Sequence, residues 1–174
     1  MAEGRRHVIL IGPMGVGKTT VGEHLADRLG RPFLDSDEVM EDRLGEWSSE
    51  IAAREGVEHL HALELEVFLA MISSPEPSVI ASAASVVDSE AGRGALEANL
   101  TVWLSASDRV LAQRQQHGHH RRAVDAGERR ALHSRRAPLL EAAATLRLDT
   151  DQRSIDALVD EVADRVRQIE EPSL

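Results

Sequence analysis

The sequence predicts an α/β domain in which a parallel sheet is covered by helices on both faces. Five short runs are apolar almost without interruption, as expected for strands that are buried on both sides, and amphipathic helical patterns lie between them. This alternation of strands and helices is typical of a doubly wound, three-layer α/β/α fold with a five-stranded parallel sheet. The 174 residues contain no internal repeat and no Pro/Gly/Ser-rich linker, so we expect one domain over residues 1–174.

Each predicted strand is a run of four or five residues rich in aliphatic and β-branched side chains. The runs are HVILI (7–11), PFLD (32–35), SVIAS (78–82), LTVWL (100–104) and TLRLD (145–149). The first four do not alternate strictly between apolar and polar residues, which favours a sheet with both faces covered.

Three apolar stripes at helical spacing mark the clearest helices between these strands. The stripes are Val21, Leu25 and Leu29; Leu60, Leu63, Val67 and Met71; and Ile155, Leu158, Val159, Val162, Val166 and Ile169. Gly30 is expected to end the first helix, and Ser154 is expected to cap the N-terminus of the last.

Composition and charge exclude several classes of function. The chain has no cysteine, which rules out disulfides and thiolate chemistry and suits a cytoplasmic protein. The N-terminal MAEGRR leads into only five apolar residues, so we expect no signal peptide, and no apolar run approaches the length of a membrane span. A net charge of −10 and an aromatic content of 2% argue against nucleic-acid and anionic-membrane partners.

The first strand is followed by GPMGVGKT (12–19), which fits the phosphate-binding loop pattern G-x-x-x-x-G-K-[ST]. Glycines in the loop allow successive backbone N–H groups to face a phosphate, and the helix that follows adds its positive end. Lys18 is the only lysine among 20 basic residues; a compact ammonium can follow the β- and γ-phosphates, and Thr19 can ligate Mg²⁺. The predicted contacts to ATP in this segment are Gly12, Gly15, Val16, Gly17, Lys18, Thr19 and Thr20.

Two acidic residues lie at the C-terminal end of the second strand, at the sheet edge where open α/β folds bind ligands. Asp35 is a candidate for the Mg²⁺ site, and Asp37 is a candidate for binding a substrate hydroxyl and accepting its proton. An alternative is that Asp37 or Ser36 only caps the next helix, and the two roles are compatible.

With these motifs the chain resembles the shikimate kinase family, whose members are P-loop enzymes of the nucleoside-monophosphate-kinase type. The likeness covers roughly residues 7–167. It includes the P-loop, LDSD (34–37), the spacing of Ile51, Gly56, Glu58 and Glu64, and RRAPLLEAAATLRLDTDQRS (135–154). It implies a phosphoryl transfer from MgATP to shikimate, giving shikimate 3-phosphate, in a monomer whose partner is this small molecule.

The resemblance also implies roles for individual residues. Asp37 would bind the substrate hydroxyls, Arg136 would bind the substrate carboxylate, and Arg114 and Arg153 would lie beside the adenine. Arg121, in a lid segment near 115–127, would close on the phosphates. Lys18, Asp37 and Arg121 are therefore the expected catalytic residues, and Asp37, His61, Ala83 and Arg136 the expected substrate-binding residues.

Three departures from the family pattern fall on the acceptor side. Leu60 and His61 stand where the family has Phe-Arg, Ser82–Ser85 reads SAAS where the family has Gly-Gly-Gly, and HHRRAV replaces Arg-Pro-Leu-Leu in the lid. The last change leaves Arg121 or Arg122 as the lid arginine. These departures keep two alternatives open: a kinase of another hydroxylated metabolite, or an ATP-binding relative that has lost its acceptor.

The histidine-rich segment HGHH (117–120) has two interpretations. With Asp125 it could form a metal site, but a solvated loop tip is favoured because no cysteine and no helical His/Glu pairing supports the metal.

Overall fold

Five parallel strands form one sheet in the computed structural model, which describes residues 6–115 and 124–171. The strands are β1 (Val8–Ile11), β2 (Phe33–Asp35), β3 (Val79–Ala81), β4 (Leu100–Ser105) and β5 (Leu146–Asp149), in the spatial order β2-β3-β1-β4-β5. The predicted five-stranded parallel sheet is thus confirmed, with strand ends that differ by one residue. His7 and Pro32 lie just outside β1 and β2, yet their carbonyls accept hydrogen bonds from Leu100 and Val79.

Helices connect the strands and cover the sheet. They are α1 (Lys18–Leu29), α2 (Ser36–Leu44), α3 (Ser48–Glu55), α4 (Val57–Ile72), α5 (Glu90–Glu97), α6 (Asp108–Gln115), α7 (Ala126–Ala143) and α8 (Ile155–Glu170), with a 3₁₀ turn at Ala84–Asp88. Among the described residues, no helix is long and apolar enough to cross a membrane.

Alternate residues of the central strand enter the two faces of the sheet, as the period of a strand requires. Val8 and Leu10 of β1 pack with apolar residues of α1 and α8. Ile9 and Ile11 pack on the other face with α4, α5 and α7. A third cluster, which includes Met40 and Ile51, joins α2 and α3 to α4 beside β3. The layers are therefore helix, sheet and helix, as predicted.

Both expected helix ends are confirmed. Gly30 adopts the left-handed conformation, with φ of 62°, and its N–H bonds back to the carbonyls of Ala26 and Asp27. The Ser154 side chain accepts a hydrogen bond from the Ala157 N–H at 3.1 Å and so caps α8.

Candidate active site

The turn between β1 and α1 is the GPMGVGKT segment, and its shape depends on its glycines. Gly15 and Gly17 have φ values of 82° and 105°, in a region that other residues rarely adopt. A β-carbon at Gly12 would lie 2.2 Å from the carbonyl oxygen of Leu104 in β4, so this position accepts no side chain. The loop can therefore pass close to the carboxyl end of β4 and turn directly into α1.

Lys18 is the first residue of α1, and its ammonium reaches back across the mouth of the loop. Its Nζ donates to the carbonyl oxygens of Gly12 at 2.7 Å and Pro13 at 3.3 Å. The positive charge therefore lies in the concavity formed by the loop, at the N-terminal end of a 12-residue helix. Backbone N–H groups, a helix N-terminus and an ammonium at one point make an anion-binding site of the kind used for nucleotide phosphates.

The outer side of the loop is braced by residues from distant parts of the chain. Arg114 of α6 donates through Nη1 to the carbonyl of Val16 at 3.1 Å and to that of Gly15 at 3.4 Å. The hydroxyl of Thr150, after β5, also donates to the carbonyl of Val16 at 3.4 Å. Val16 itself is buried in the core, which anchors the loop from inside. Thr20, the third residue of α1, is exposed.

Arg153, the second arginine expected beside the adenine, forms an ion pair with Glu161 of α8. It lies three residues after Thr150, the residue to which Arg114 also bonds at 3.4 Å. Both arginines are thus at the edge formed by α6 and the β5–α8 connection. Neither of them lines the cleft described below.

Asp35 connects the P-loop to the end of β2. One carboxylate oxygen accepts a hydrogen bond from the Thr19 hydroxyl at 2.7 Å, and the other accepts from the Asp37 N–H at 2.9 Å. The second bond makes Asp35 the N-cap of α2, so the interpretation in which Asp37 or Ser36 caps this helix is wrong. Asp35 itself takes the capping role because its short carboxylate immediately precedes the first helical residue.

The pair formed by Thr19 and Asp35 fits a magnesium ion. Hydroxyl and carboxylate oxygens are hard ligands, and Mg²⁺ is typically held by one or two carboxylates together with substrate phosphates and water. Within residues 6–115 and 124–171 there is no cluster of three or more histidines and acids that could form an all-protein metal site. The HGHH segment and the two lid candidates Arg121 and Arg122 lie outside the described residues.

A cleft of about 570 Å³ opens beside the P-loop, at the carboxyl ends of β1, β2, β3 and β4. Seven of the residues predicted from the sequence line it: Gly12, Lys18, Asp35, Asp37, His61, Ala83 and Arg136. Lys18 and the acceptor-side residues come from separate elements, and the sheet topology brings them together because all parallel strands end at one edge.

Glu64 is a functional candidate that the sequence interpretation left without a role. It follows His61 by three residues on α4, so both side chains point to the same side of the helix, into the cleft. The Ser85 hydroxyl donates to its Oε2. Burial raises the pKa of Glu64 to about 7; the charge of Asp37 adds to this rise, while the Ser85 hydrogen bond, Arg136 and Lys18 oppose it.

Arg136 lies on the buried side of α7, in line with Leu140 and Ala143. Its Nε and Nη2 donate to the two carboxylate oxygens of Asp88, at 3.1 Å and 2.7 Å respectively. Asp88 is the last residue of the 3₁₀ turn that follows β3, and its carboxylate also receives a bond from Arg135 at 3.2 Å. The expected carboxylate-binding residue thus already holds a carboxylate of the same chain.

Trp103 of β4 forms part of the inner wall of the cleft and is 2% exposed. The guanidinium of Arg147, on the neighbouring strand β5, stacks over its ring at 4.3 Å from the centroid. This cation–π contact holds the indole in place under the cleft.

Comparison with known proteins identifies the family. A family model described as shikimate kinase matches residues 14–167. The chain belongs to the shikimate kinase family. Shikimate kinases of Symbiobacterium thermophilum and Mycobacterium avium are each 36% identical to it, over 169 and 165 residues; the matches cover 93% and 91% of this chain and 97% and 92% of those proteins. The family uses ATP as its phosphoryl donor, so the chain is an ATP-dependent kinase of small molecules.

A solved shikimate kinase from Acinetobacter baumannii, in complex with shikimate, superimposes on the chain with a TM-score of 0.88 at 28% identity. The match covers 97% of this chain and 96% of that one, which confirms the expected P-loop fold.

Against the shikimate kinase pattern, the altered residues lie together in the cleft. His61 and the Ser82–Ser85 segment line the same cavity as Arg136. Ala83 has φ of −62° and ψ of 139°, a conformation open to any residue, so alanine in place of the family glycine causes no backbone strain. Its β-carbon instead takes up room in the wall of the cleft.

Proposed function

We propose that this member of the shikimate kinase family transfers the γ-phosphoryl group of ATP to a hydroxyl of shikimate, giving shikimate 3-phosphate. The observation that carries the proposal is the joint placement of Lys18, Asp37 and Arg136 around one cleft, at the carboxyl edge of the sheet. The ammonium of Lys18 would pair with the triphosphate, and the carboxylate of Asp37 would bind the acceptor hydroxyl. The guanidinium of Arg136 would bind the acceptor carboxylate. The A. baumannii relative holds shikimate in the same fold.

On the donor side, the P-loop would bind the β- and γ-phosphates through its backbone N–H groups. Lys18 would leave the carbonyls of Gly12 and Pro13 and pair with the phosphate oxygens, because an ammonium gains more from an anion than from two neutral acceptors. Arg114 and Arg153 would lie towards the adenine, and Arg121 or Arg122 would be the lid arginine. Preorganised positive charge of this kind stabilises the oxygens of the transferring group.

Magnesium would be held by the Thr19 hydroxyl and by the Asp35 carboxylate, directly or through water. When bound, the ion would neutralise charge on the β- and γ-phosphates. The Thr19–Asp35 hydrogen bond already holds these two oxygen ligands together, and the Asp37 N–H orients the carboxylate.

On the acceptor side, Asp37 would orient the attacking hydroxyl and take its proton. The new bond joins the acceptor oxygen to the γ-phosphorus while the bond to the bridging oxygen breaks, and ADP leaves with that oxygen. Arg136, with His61, would bind the substrate carboxylate. The segment at Ala83 would set the depth to which the ring enters.

The test is a coupled assay of ADP release with shikimate and MgATP. We expect saturable turnover that Lys18→Ala abolishes, because the variant loses the charge that faces the phosphates. Arg165→Ala, at an exposed position of α8, provides a control that should retain turnover. Absence of shikimate-dependent ADP release by the wild-type chain would refute the proposal.

One observation favours a second acceptor within the same chemistry: His61 and Ala83, which stand where the family pattern has arginine and glycine, both line the cleft. A panel of other hydroxylated acids and sugars in the same assay addresses it. Turnover with one of these and none with shikimate would replace shikimate as the acceptor while leaving the kinase chemistry unchanged.

A further inference from the structure

The guanidinium of Arg136 presents to Asp88 the edge that binds carboxylates best. Nε and Nη2 form two parallel hydrogen bonds to the two oxygens of Asp88, the bidentate arrangement that makes arginine selective for carboxylates. The Arg136 side chain is only 10% exposed and that of Asp88 only 27%, so water screens this pair weakly. The carboxylate of a substrate would therefore find the Nε and Nη2 groups of Arg136 already bonded to Asp88, and the positive charge already paired.

Asp88 also faces the other cations of the acceptor side. Burial acts to raise its pKa, but the hydrogen bonds and charge of Arg136, together with the charges of Arg135 and His61, hold the pKa below its ordinary value. Asp88 is therefore charged at neutral pH. His61 and Arg136 are the two residues expected to attract the substrate carboxylate, and Asp88 already pairs with Arg136.

Building on the proposed function, we propose that Asp88 is a specificity-determining residue that competes with the substrate carboxylate for Arg136. The competition weakens the binding of acceptors that carry a carboxylate and leaves acceptors that lack one unaffected. It acts within the folded chain, through a residue at the end of the 3₁₀ turn that lies outside the wall of the cleft itself.

The arrangement around Asp88 makes this competition reversible. Arg135 already donates to Asp88 Oδ2 at 3.2 Å, and its side chain is 59% exposed and able to follow the carboxylate. When a substrate takes Arg136, Asp88 retains a cationic partner in Arg135. Displacement therefore weakens carboxylate binding without preventing it, and we expect an effect of about tenfold on affinity, equivalent to 1.4 kcal/mol.

The experiment compares an acid with its ester. Initial rates are measured with shikimate and with its methyl ester, at saturating MgATP, for the wild type and Asp88→Asn. The amide oxygen of asparagine can still accept from Arg136, so the variant removes the charge while keeping a hydrogen bond. We expect KM for shikimate to fall by about tenfold and KM for the methyl ester to change by less than twofold.

Asp160→Asn is the matched control, since Asp160 also pairs with an arginine, Arg28, but on the exposed surface formed by α1 and α8. It should leave both KM values unchanged. An unchanged KM for shikimate in Asp88→Asn would overturn the proposal, because it would mean that Asp88 does not compete for Arg136. A higher KM would also overturn it, because it would mean that Asp88 orients Arg136 for the substrate. Asp88→Ser repeats the test if the asparagine variant unfolds.

Calorimetric titration of shikimate separates this inference from the proposed reaction. If neither the wild type nor Asp88→Asn turns over shikimate, the proposed reaction is refuted. In that case a Kd for shikimate that is tenfold lower in Asp88→Asn would still support the competition. Equal Kd values, or no binding to either protein, would refute it.

Discussion

The half-buried carboxyl of Glu64 makes the stability of the fold depend on pH in a defined direction. Its pKa is about 7 in the folded chain, against 4.5 for an ordinary glutamate. Between these two values the folded state keeps the proton while the unfolded state releases it. The folded state thus binds more protons, and the free energy of unfolding falls as pH rises through this window. At 1.36 kcal/mol per pKa unit, the shift costs about 3 kcal/mol of stability at pH 7 and above.

Glu64→Gln removes this dependence because an amide does not ionise. Urea unfolding of both proteins, followed by circular dichroism at half-unit steps from pH 4.5 to 8, gives the difference in unfolding free energy. We expect the free energy of unfolding of the variant, relative to that of the wild type, to increase by about 3 kcal/mol between pH 4.5 and pH 8. The contributions of the other titrating groups cancel in this difference. Glu66→Gln, which removes an exposed carboxyl from the same helix, is the matched control.

A difference that stays constant with pH would refute the reasoning. A difference that shrinks as pH rises would refute it more strongly, because it would mean that the carboxylate form of Glu64 is the one that the fold stabilises.

Three further predictions concern single positions. A β-carbon at Gly92 would lie 1.8 Å from the backbone oxygen of Val86, so Gly92→Ala should destabilise the fold by about 3 kcal/mol in thermal unfolding. Gly94→Ala, in the same helix with open space around it, should stabilise by about 0.5 kcal/mol, and equal effects of the two would contradict this packing argument. His61→Arg adds a permanent charge to the acceptor side and should lower KM for shikimate about fivefold; an unchanged KM would count against a weakened carboxylate site. Asp35→Asn keeps the cap of α2 but removes the anionic oxygen, so half-maximal turnover should need about tenfold more Mg²⁺, and an unaltered Mg²⁺ titration would remove Asp35 from the metal site.

The parts of this structure that could be predicted from the sequence are those whose causes are local. The P-loop follows from glycines at fixed spacing between a strand and a helix, and the strand assignments follow from apolar runs such as that of 7–11. Gly30 ends α1 and Ser154 caps the start of α8, each through hydrogen bonds to residues at most four positions away. Short-range patterns of this kind can be recognised from the sequence alone.

The parts that could not be predicted depend on contacts between distant segments. Asp88 and Arg136 are 48 residues apart, and Glu64 meets Ser85 across 21 residues, so no spacing in the sequence indicates either pair. A signal for Glu64 did exist, because it belongs to the spacing that carries the family resemblance. Its raised pKa, however, comes from burial, which only the packed structure reveals.

The indole of Trp103 has a practical consequence. The chain contains two tryptophans and no tyrosine, so its ultraviolet emission comes almost entirely from two side chains. One of them forms the inner wall of the cleft, held under Arg147, while Trp47 precedes α3 and is not part of that wall. Replacing Trp47 by phenylalanine would leave a single fluorophore, whose spectrum would follow the filling of the cleft without any added dye.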